Sequence, residues 1–241
     1  MPTTMQMSWQ IDLLRHGAVE GAAALNGRSD PPLSVAGWAA FEPLFMLDSA
    51  PWQRIITSPR QRCRAVAERL ADHYQLPLEI NAGWAEMDFG QFDGIPFDKL
   101  QDQWPQLEQF WQDPLAHPLP DAESLAHFHQ RIVTTWQSLI AQPAQESLLV
   151  VAHAGVIRQL LAHLLLCDWQ QGVFHQRLRI PHASLTRIRL WPGQPVPFVQ
   201  VEQIGHEINI NKISKMNKIE TSDDGLDITC ANKLTLSIAY K

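Results

Sequence analysis

Ser147-Leu-Leu-Val-Val-Ala152, running into His153-Ala-Gly155, is the stretch that decides the fold. Its unbroken apolar character is that of a strand buried on both faces, as in a parallel sheet covered by helices. The run stops at His153, and residues 156–166 then carry apolar side chains at helical spacing. Upstream, Ile11-Asp-Leu-Leu14 reads as a short strand ending at Arg15-His16-Gly17, and Arg54-Ile-Ile-Thr57 as another ending at Ser58-Pro59. Ser is a good N-cap and Pro suits a first helical turn, so a helix is expected from Ser58-Pro59 to about Tyr74. Residues 34–48 predict a further helix capped by Ser34. Residues 76–80 suggest a strand, 95–142 a mostly helical segment, and 177–190 and 197–204 later strands. Strands alternating with helices predict an α/β protein, a three-layer α/β/α sandwich around a mainly parallel sheet.

The 241 residues are 45% hydrophobic and 18% charged with a net charge of −6, an ordinary globular balance. No basic field able to hold nucleic acid is present. No apolar run approaches the roughly 18–20 residues a membrane span needs. The opening residues lack the basic start and apolar core of a signal peptide, so a cytoplasmic protein is expected, without membrane or nucleic-acid partners. Cys63, Cys167 and Cys230 are too widely spaced to suggest a disulfide framework or a zinc site. Composition changes near His206: all nine Trp and all seventeen Pro lie earlier, and five of the six Lys lie later. Residues 1–206 are therefore expected to form the main domain. Residues 207–241 are expected to be an appended tail, weakly ordered or a small hairpin built on the alternating Leu234-Thr-Leu-Ser-Ile-Ala-Tyr240.

Three strand ends carry groups suited to an anion: Arg15-His16-Gly17, Ser58-Pro-Arg-Gln-Arg62 and His153-Ala-Gly155. In an open parallel sheet ligands bind at the carboxyl ends of the strands, so these segments should meet although about 140 residues separate the first from the last. Histidines and arginines gathered at one point repel one another unless an anion sits among them. The planar arginine fork matches phosphate oxygens, and a helix start at Ser58-Pro59 would add free N–H groups. A phosphate fits such a site; a metal cation does not. Singly, each group has a plainer reading, Arg60 and Arg64 as one solvated helix face or His153 as a core histidine.

The joint pattern resembles the histidine phosphatase superfamily, the phosphoglycerate-mutase-like fold. Leu13-Leu-Arg-His-Gly17 matches its opening signature, Ser58-Pro-Arg-Gln-Arg62 its second motif and Val151-Ala-His-Ala-Gly155 its last. Glu86-Met-Asp-Phe-Gly-Gln-Phe-Asp-Gly94 is similar to a stretch of the α-ribazole phosphatase branch, in which Trp and Glu stand where this chain has Phe92 and Asp93. Asn26-Gly-Arg-Ser-Asp-Pro-Pro-Leu-Ser34, Phe110-Trp-Gln-Asp-Pro114 and Pro120-Asp-Ala-Glu-Ser124 extend the resemblance. Where the family often continues Arg-His-Gly with Glu-Thr or Glu-Ser, Ala18-Val19-Glu20 follows here.

The resemblance implies roles. His16 would be the nucleophile forming a phosphohistidine. Arg15, Arg62 and His153 would clamp the phosphoryl oxygens. Glu86, sheltered beside Trp84 and Phe89, would act as acid and then base, with Asp88 as its rival. Asn26, Arg28 and Ala154 would touch substrate. A helical lid over about residues 91–146 carries Phe92, Phe97, Trp104, Phe110, Trp111, Phe128 and Trp136, some of which could stack on a flat leaving group. No metal or other cofactor is implied. The expected activity is phosphomonoester hydrolysis on a small phosphorylated metabolite, with α-ribazole 5′-phosphate of cobalamin biosynthesis as the substrate. The alternatives are a phosphoglycerate mutase or broad sugar-phosphate phosphatase, and a phosphate-binding regulatory module without turnover.

Overall fold

The computed structural model describes residues 8–141, 146–193 and 195–208. In chain order the elements are β1 (Trp9–Arg15), α1 (Val35–Ala39), α2 (Glu42–Phe45), β2 (Arg54–Thr57), α3 (Gln61–Tyr74), β3 (Leu78–Ile80), α4 (Trp104–Gln112), α5 (Leu125–Ile140), β4 (Leu148–Ala152), α6 (Ala154–Leu164), α7 (Gly172–Arg177), β5 (Ser184–Trp191) and β6 (Phe198–Glu207), with short 3-10 turns between β3 and α4. One six-stranded sheet runs in the order β3-β2-β4-β1-β5-β6. The first four strands of that order are mutually parallel, and β5 and β6 are antiparallel additions.

The apolar run at residues 148–152 is β4, which lies inside the sheet between β1 and β2 and is buried at every position. Alternation along its neighbours sends side chains to two separate cores. Ile11, Leu13, Leu148 and Val150 face α5 and α6, meeting Ile132, Trp136, Ile157 and Leu160. Leu14, Ile55, Leu149 and Val151 face the opposite layer, meeting Phe41 just before α2, Leu44 of α2, and Val66 and Leu70 of α3. Within the second core Asp12 is fully buried and takes both Nε and Nη2 of Arg187 at 2.7 Å, with the Trp52 indole at 2.8 Å. That closed ionic group pins β1 to β5.

The structure corrects several expectations. The helix expected over 34–48 is two, α1 and α2. Ser34 caps α1 as foreseen, but Pro43 has no N–H and its ring would collide with the carbonyl four residues back, so a single helix cannot run through. The helix expected at Ser58-Pro59 begins at Gln61. Its cap comes from elsewhere in the chain: the Gln61 N–H donates to both Asp30 carboxylate oxygens, at 2.8 and 2.9 Å. That end of α3 is therefore not the free anion cradle foreseen for it. The strand expected over 177–190 starts only at Ser184, because α7 occupies the preceding residues and Pro181 and the left-handed Ala183 (φ 49°) shape the turn between them. β6 runs to Glu207, so the composition break at His206 falls at the strand's end. The alternating stretch 234–240 lies outside the described residues.

Candidate active site

Parallel pairing places the three charged segments side by side. Arg15 is in register with Ala152, and Thr57 with Val151. The ladder continues one step past the strand ends, with His16 N–H donating to Ala152 O and Ser58 N–H to Val151 O, each at 3.0 Å. His16 and His153 consequently stand with ring centroids 5.2 Å apart, edge to face.

The protonation of His16 follows from its partner. Nδ1 lies 2.8 Å from Gly17 O, and a carbonyl only accepts, so Nδ1 carries the hydrogen and Nε2 keeps its lone pair. Burial, then the charges of Arg62 and Arg15, hold the ring well below the ordinary histidine range, so the neutral form persists at neutral pH. His153 is fully buried and held down in the same way, by burial first and then by Arg62 and His16. Its Nε2 meets Ser58 Oγ at 2.7 Å, which is where the hydroxyl expected to cap α3 has gone. Burial pushes the neighbouring Cys63 thiol up, so Cys63 is no thiolate nucleophile.

Arginines surround the two rings. Arg15 gives Nη1 to Ile180 O and Nη2 to His182 Nε2 at 2.8 Å. Arg62 is wholly buried and spends its terminal nitrogens on the 26–30 loop, reaching Asn26 O at 2.6 Å, Ser29 O at 2.8 Å and Asp30 at 3.3 Å. What these residues leave unmet is informative. Among the described residues, nothing partners the buried Nε atoms of Arg15, Arg60 and Arg62. A buried donor left unmet costs about 1–3 kcal/mol, more when charged, and an oxyanion among them would remove that cost.

Glu86 stands at the first turn of α6. Its carboxylate accepts from Gly155 N–H at 3.0 Å and from Met87 N–H at 3.1 Å. Only glycine permits this approach, because a Cβ at residue 155 would run into Glu86 Oε1. Asp88, the rival carboxylate, instead takes Gly90 N–H at 2.8 Å and lies 3.4 Å from the exposed Arg28. Asn26 meets Arg62 through its backbone, and Ala154 opens α6 beside His153. Arg28 is exposed and pairs with Asp88.

Beyond Glu86 opens a cavity of about 320 Å³ lined by Leu25, Phe89, Phe110, Trp111, Phe128 and Arg158 among others. Of the aromatics expected over the site, Phe110, Trp111 and Phe128 line it. Phe97 and Trp104 brace Trp111 edge to face at 6.1 and 5.5 Å, while Phe92 and Trp136 belong to the core.

Three further residues matter to which the sequence reading gave no role. His182 sits with its ring 5.5 Å from His16, and partial burial with the Arg15 charge pushes it down to about 4. Arg158, on α6, projects into the cavity. Asp93 gathers the N–H groups of Gly27, Arg28, Ser29 and Phe89 at 2.6–3.1 Å and so shapes the loop that Arg62 grips. Desolvation alone would raise its pKa, but the hydrogen bonds from Ser29, Arg28 and Phe89 outweigh it and the carboxyl is lowered.

Residues 11–200 match the histidine phosphatase superfamily (branch 1), and the chain belongs to that family. It is 28% identical over 198 residues to a bifunctional protein of Mycobacterium tuberculosis, an alignment covering 80% of this chain and 54% of that one. The chain thus spans about half the length of that relative. A mycobacterial glucosyl-3-phosphoglycerate phosphatase superposes with a TM-score of 0.69 at 20% identity, covering 83% of this chain and 100% of the other. The α-ribazole phosphatase of Shigella flexneri superposes with a TM-score of 0.67 at 21% identity, covering 82% of this chain and 96% of the other. At these identities the superpositions speak for the fold. No described helix is long and apolar enough to cross a membrane.

Proposed function

We propose that this protein hydrolyses phosphomonoesters through a phosphohistidine on His16. His16 Nε2 gives its lone pair to phosphorus as the ester P–O bond breaks, and the departing oxygen takes a proton from Glu86. Glu86, now a carboxylate, accepts a proton from water whose oxygen attacks phosphorus. The P–N bond breaks back onto Nε2, and inorganic phosphate leaves. The arginines meet the charge that grows on the phosphoryl oxygens. The observation that carries this reading is a buried neutral imidazole whose free lone pair is Nε2, standing edge to face with His153 and within the charge of Arg62 and Arg15.

The leaving group occupies the aromatic cavity, whose volume suits something of nucleoside size. Among such esters we propose α-ribazole 5′-phosphate, whose dimethylbenzimidazole is a flat ring for Phe89, Phe110, Trp111 and Phe128. The test is rapid quench with radiolabelled ester on the wild type and on His16→Ala, beside a turnover screen that includes α-ribazole phosphate. The wild type should trap an acid-labile, base-stable phosphoprotein. His16→Ala should trap none and lose ~10⁴-fold or more in kcat. Substantial turnover by His16→Ala would exclude the covalent route, and preference for another ester class would exclude α-ribazole phosphate.

A further inference from the structure

The cavity wall carries one cation that the proposed chemistry does not use. Arg158 sits three residues after Gly155 on α6, about 4.5 Å of helix rise beyond the point where Glu86 is held. Its Nε donates to Leu178 O at 2.8 Å, which fixes the plane of the guanidinium. Its terminal nitrogens have no hydrogen-bond or ion-pair partner among the described residues. The other polar side chains of the cavity are engaged. Gln159 Oε1 takes His129 Nδ1–H at 2.7 Å, His175 Nε2 reaches Trp169 O at 2.9 Å, and Gln176 donates to Trp111 O at 2.5 Å. Burial lowers the Arg158 pKa and the nearby Glu86 charge opposes that shift, so the side chain stays charged in a mostly apolar pocket.

A half-buried guanidinium held rigid, with its outer donors unmet, is built to receive an acceptor in its own plane. We infer that Arg158 is a specificity-determining residue whose terminal nitrogens read a lone-pair acceptor on the leaving group, a carboxylate oxygen or an azole ring nitrogen, at the far end of the aromatic cavity. This rests on the phosphomonoesterase reading and narrows it: the preferred ester has a flat body and an in-plane acceptor roughly one helical turn from its scissile oxygen.

The test compares kcat/KM for 4-methylphenyl phosphate, 4-carboxyphenyl phosphate and α-ribazole 5′-phosphate in the wild type and in Arg158→Met, which keeps the aliphatic bulk and removes the donors. For at least one acceptor-bearing ester, the ratio to 4-methylphenyl phosphate should fall tenfold or more in Arg158→Met, mainly through KM. Arg158→Lys should recover part of it. A loss confined to the carboxyphenyl ester identifies a carboxylate, and one confined to the ribazole ester identifies the ring nitrogen. Should Arg158→Met fail to fold, Arg158→Gln serves for the same ratio. Ratios that do not change, or equal losses on all three esters, overturn the assignment. A wild type that turns over other esters of the screen but none of these three overturns the subsite alone, and one that releases phosphate from no ester and traps no phosphoprotein refutes the phosphatase reading with it.

Discussion

Gly155→Ala isolates the placement of Glu86 from the stability of the fold. A Cβ at residue 155 would collide with Glu86 Oε1, while the Gly155 N–H holds Oε2 at 3.0 Å. The obstacle is the far end of a flexible side chain, so the carboxylate swings aside and the helix stays where it is. Relief of the overlap needs about 1 Å of movement, and a misplacement of that size costs ~10²-fold in rate, or about 2.7 kcal/mol of barrier. Stability should barely change. An alanine in place of glycine inside a helix contributes about 1 kcal/mol, which offsets the roughly 1 kcal/mol of the lost hydrogen bond. Single-turnover formation of the phosphoenzyme is the discriminating assay, run with an alkyl phosphate and with 4-nitrophenyl phosphate. An alkoxide needs a proton to depart and nitrophenolate does not, so the alkyl ester should lose ~10²-fold in this step and the nitrophenyl ester only a few-fold. Equal losses on both esters, or an alkyl rate within threefold of the wild type in a variant that melts normally, would refute the assignment of Glu86 as the acid.

Two further predictions concern stability. His16 and His153 are held well below the usual 6.5 by burial and by the Arg62 charge, whereas the unfolded chain titrates near that value. Below about pH 6.5 the unfolded state therefore binds protons that the native state refuses, and stability falls as pH drops, by about 1.4 kcal/mol per histidine per pH unit. Urea unfolding at pH 7 and pH 5.5 should show this fall, and His153→Asn should flatten it; a pH-independent midpoint would contradict the buried neutral pair. In the second core, Arg187→Met leaves the fully buried Asp12 without its cation and should cost about 3–5 kcal/mol by urea denaturation, most of it recovered when Asp12 is made apolar too. A cost under 1 kcal/mol would mean that the pair is not what ties β1 to β5.

The parallel half of the sheet was legible in the sequence because β4 carries an uninterrupted apolar run, β1 and β2 carry shorter apolar stretches, and the chemistry follows directly at their carboxyl ends. Arg15, His16 and His153 could be placed at one edge from that rule, whereas Arg62 was distinguished from Arg60 and Arg64 only by the resemblance to the family's second motif. Other features depended on tertiary partners. Ser58 and Pro59 have the local chemistry of a helix start, yet the serine hydroxyl serves His153, and Asp30, distant in sequence, caps α3 in its place. Pro43 held a readable signal for the split between α1 and α2. His182 gave none, since reaching the site depends on β5 running antiparallel to β1, and a lone histidine before a strand does not reveal its direction. Arg158 falls in an amphipathic helix, where an arginine between apolar residues reads as a solvated position until α7 and the aromatics close around it.

The antiparallel docking of β5 has an evolutionary consequence. Residue 182 arrives at the imidazoles on the turn that joins α7 to β5, whereas His16, Ser58 and His153 follow directly on the carboxyl ends of parallel strands. Exchanging the side chain at 182 would spare the ladder behind it but would take from Arg15 the partner it meets at 2.8 Å. A lineage built on this scaffold that changed this rim would therefore reorient Arg15 along with whatever the rim admits.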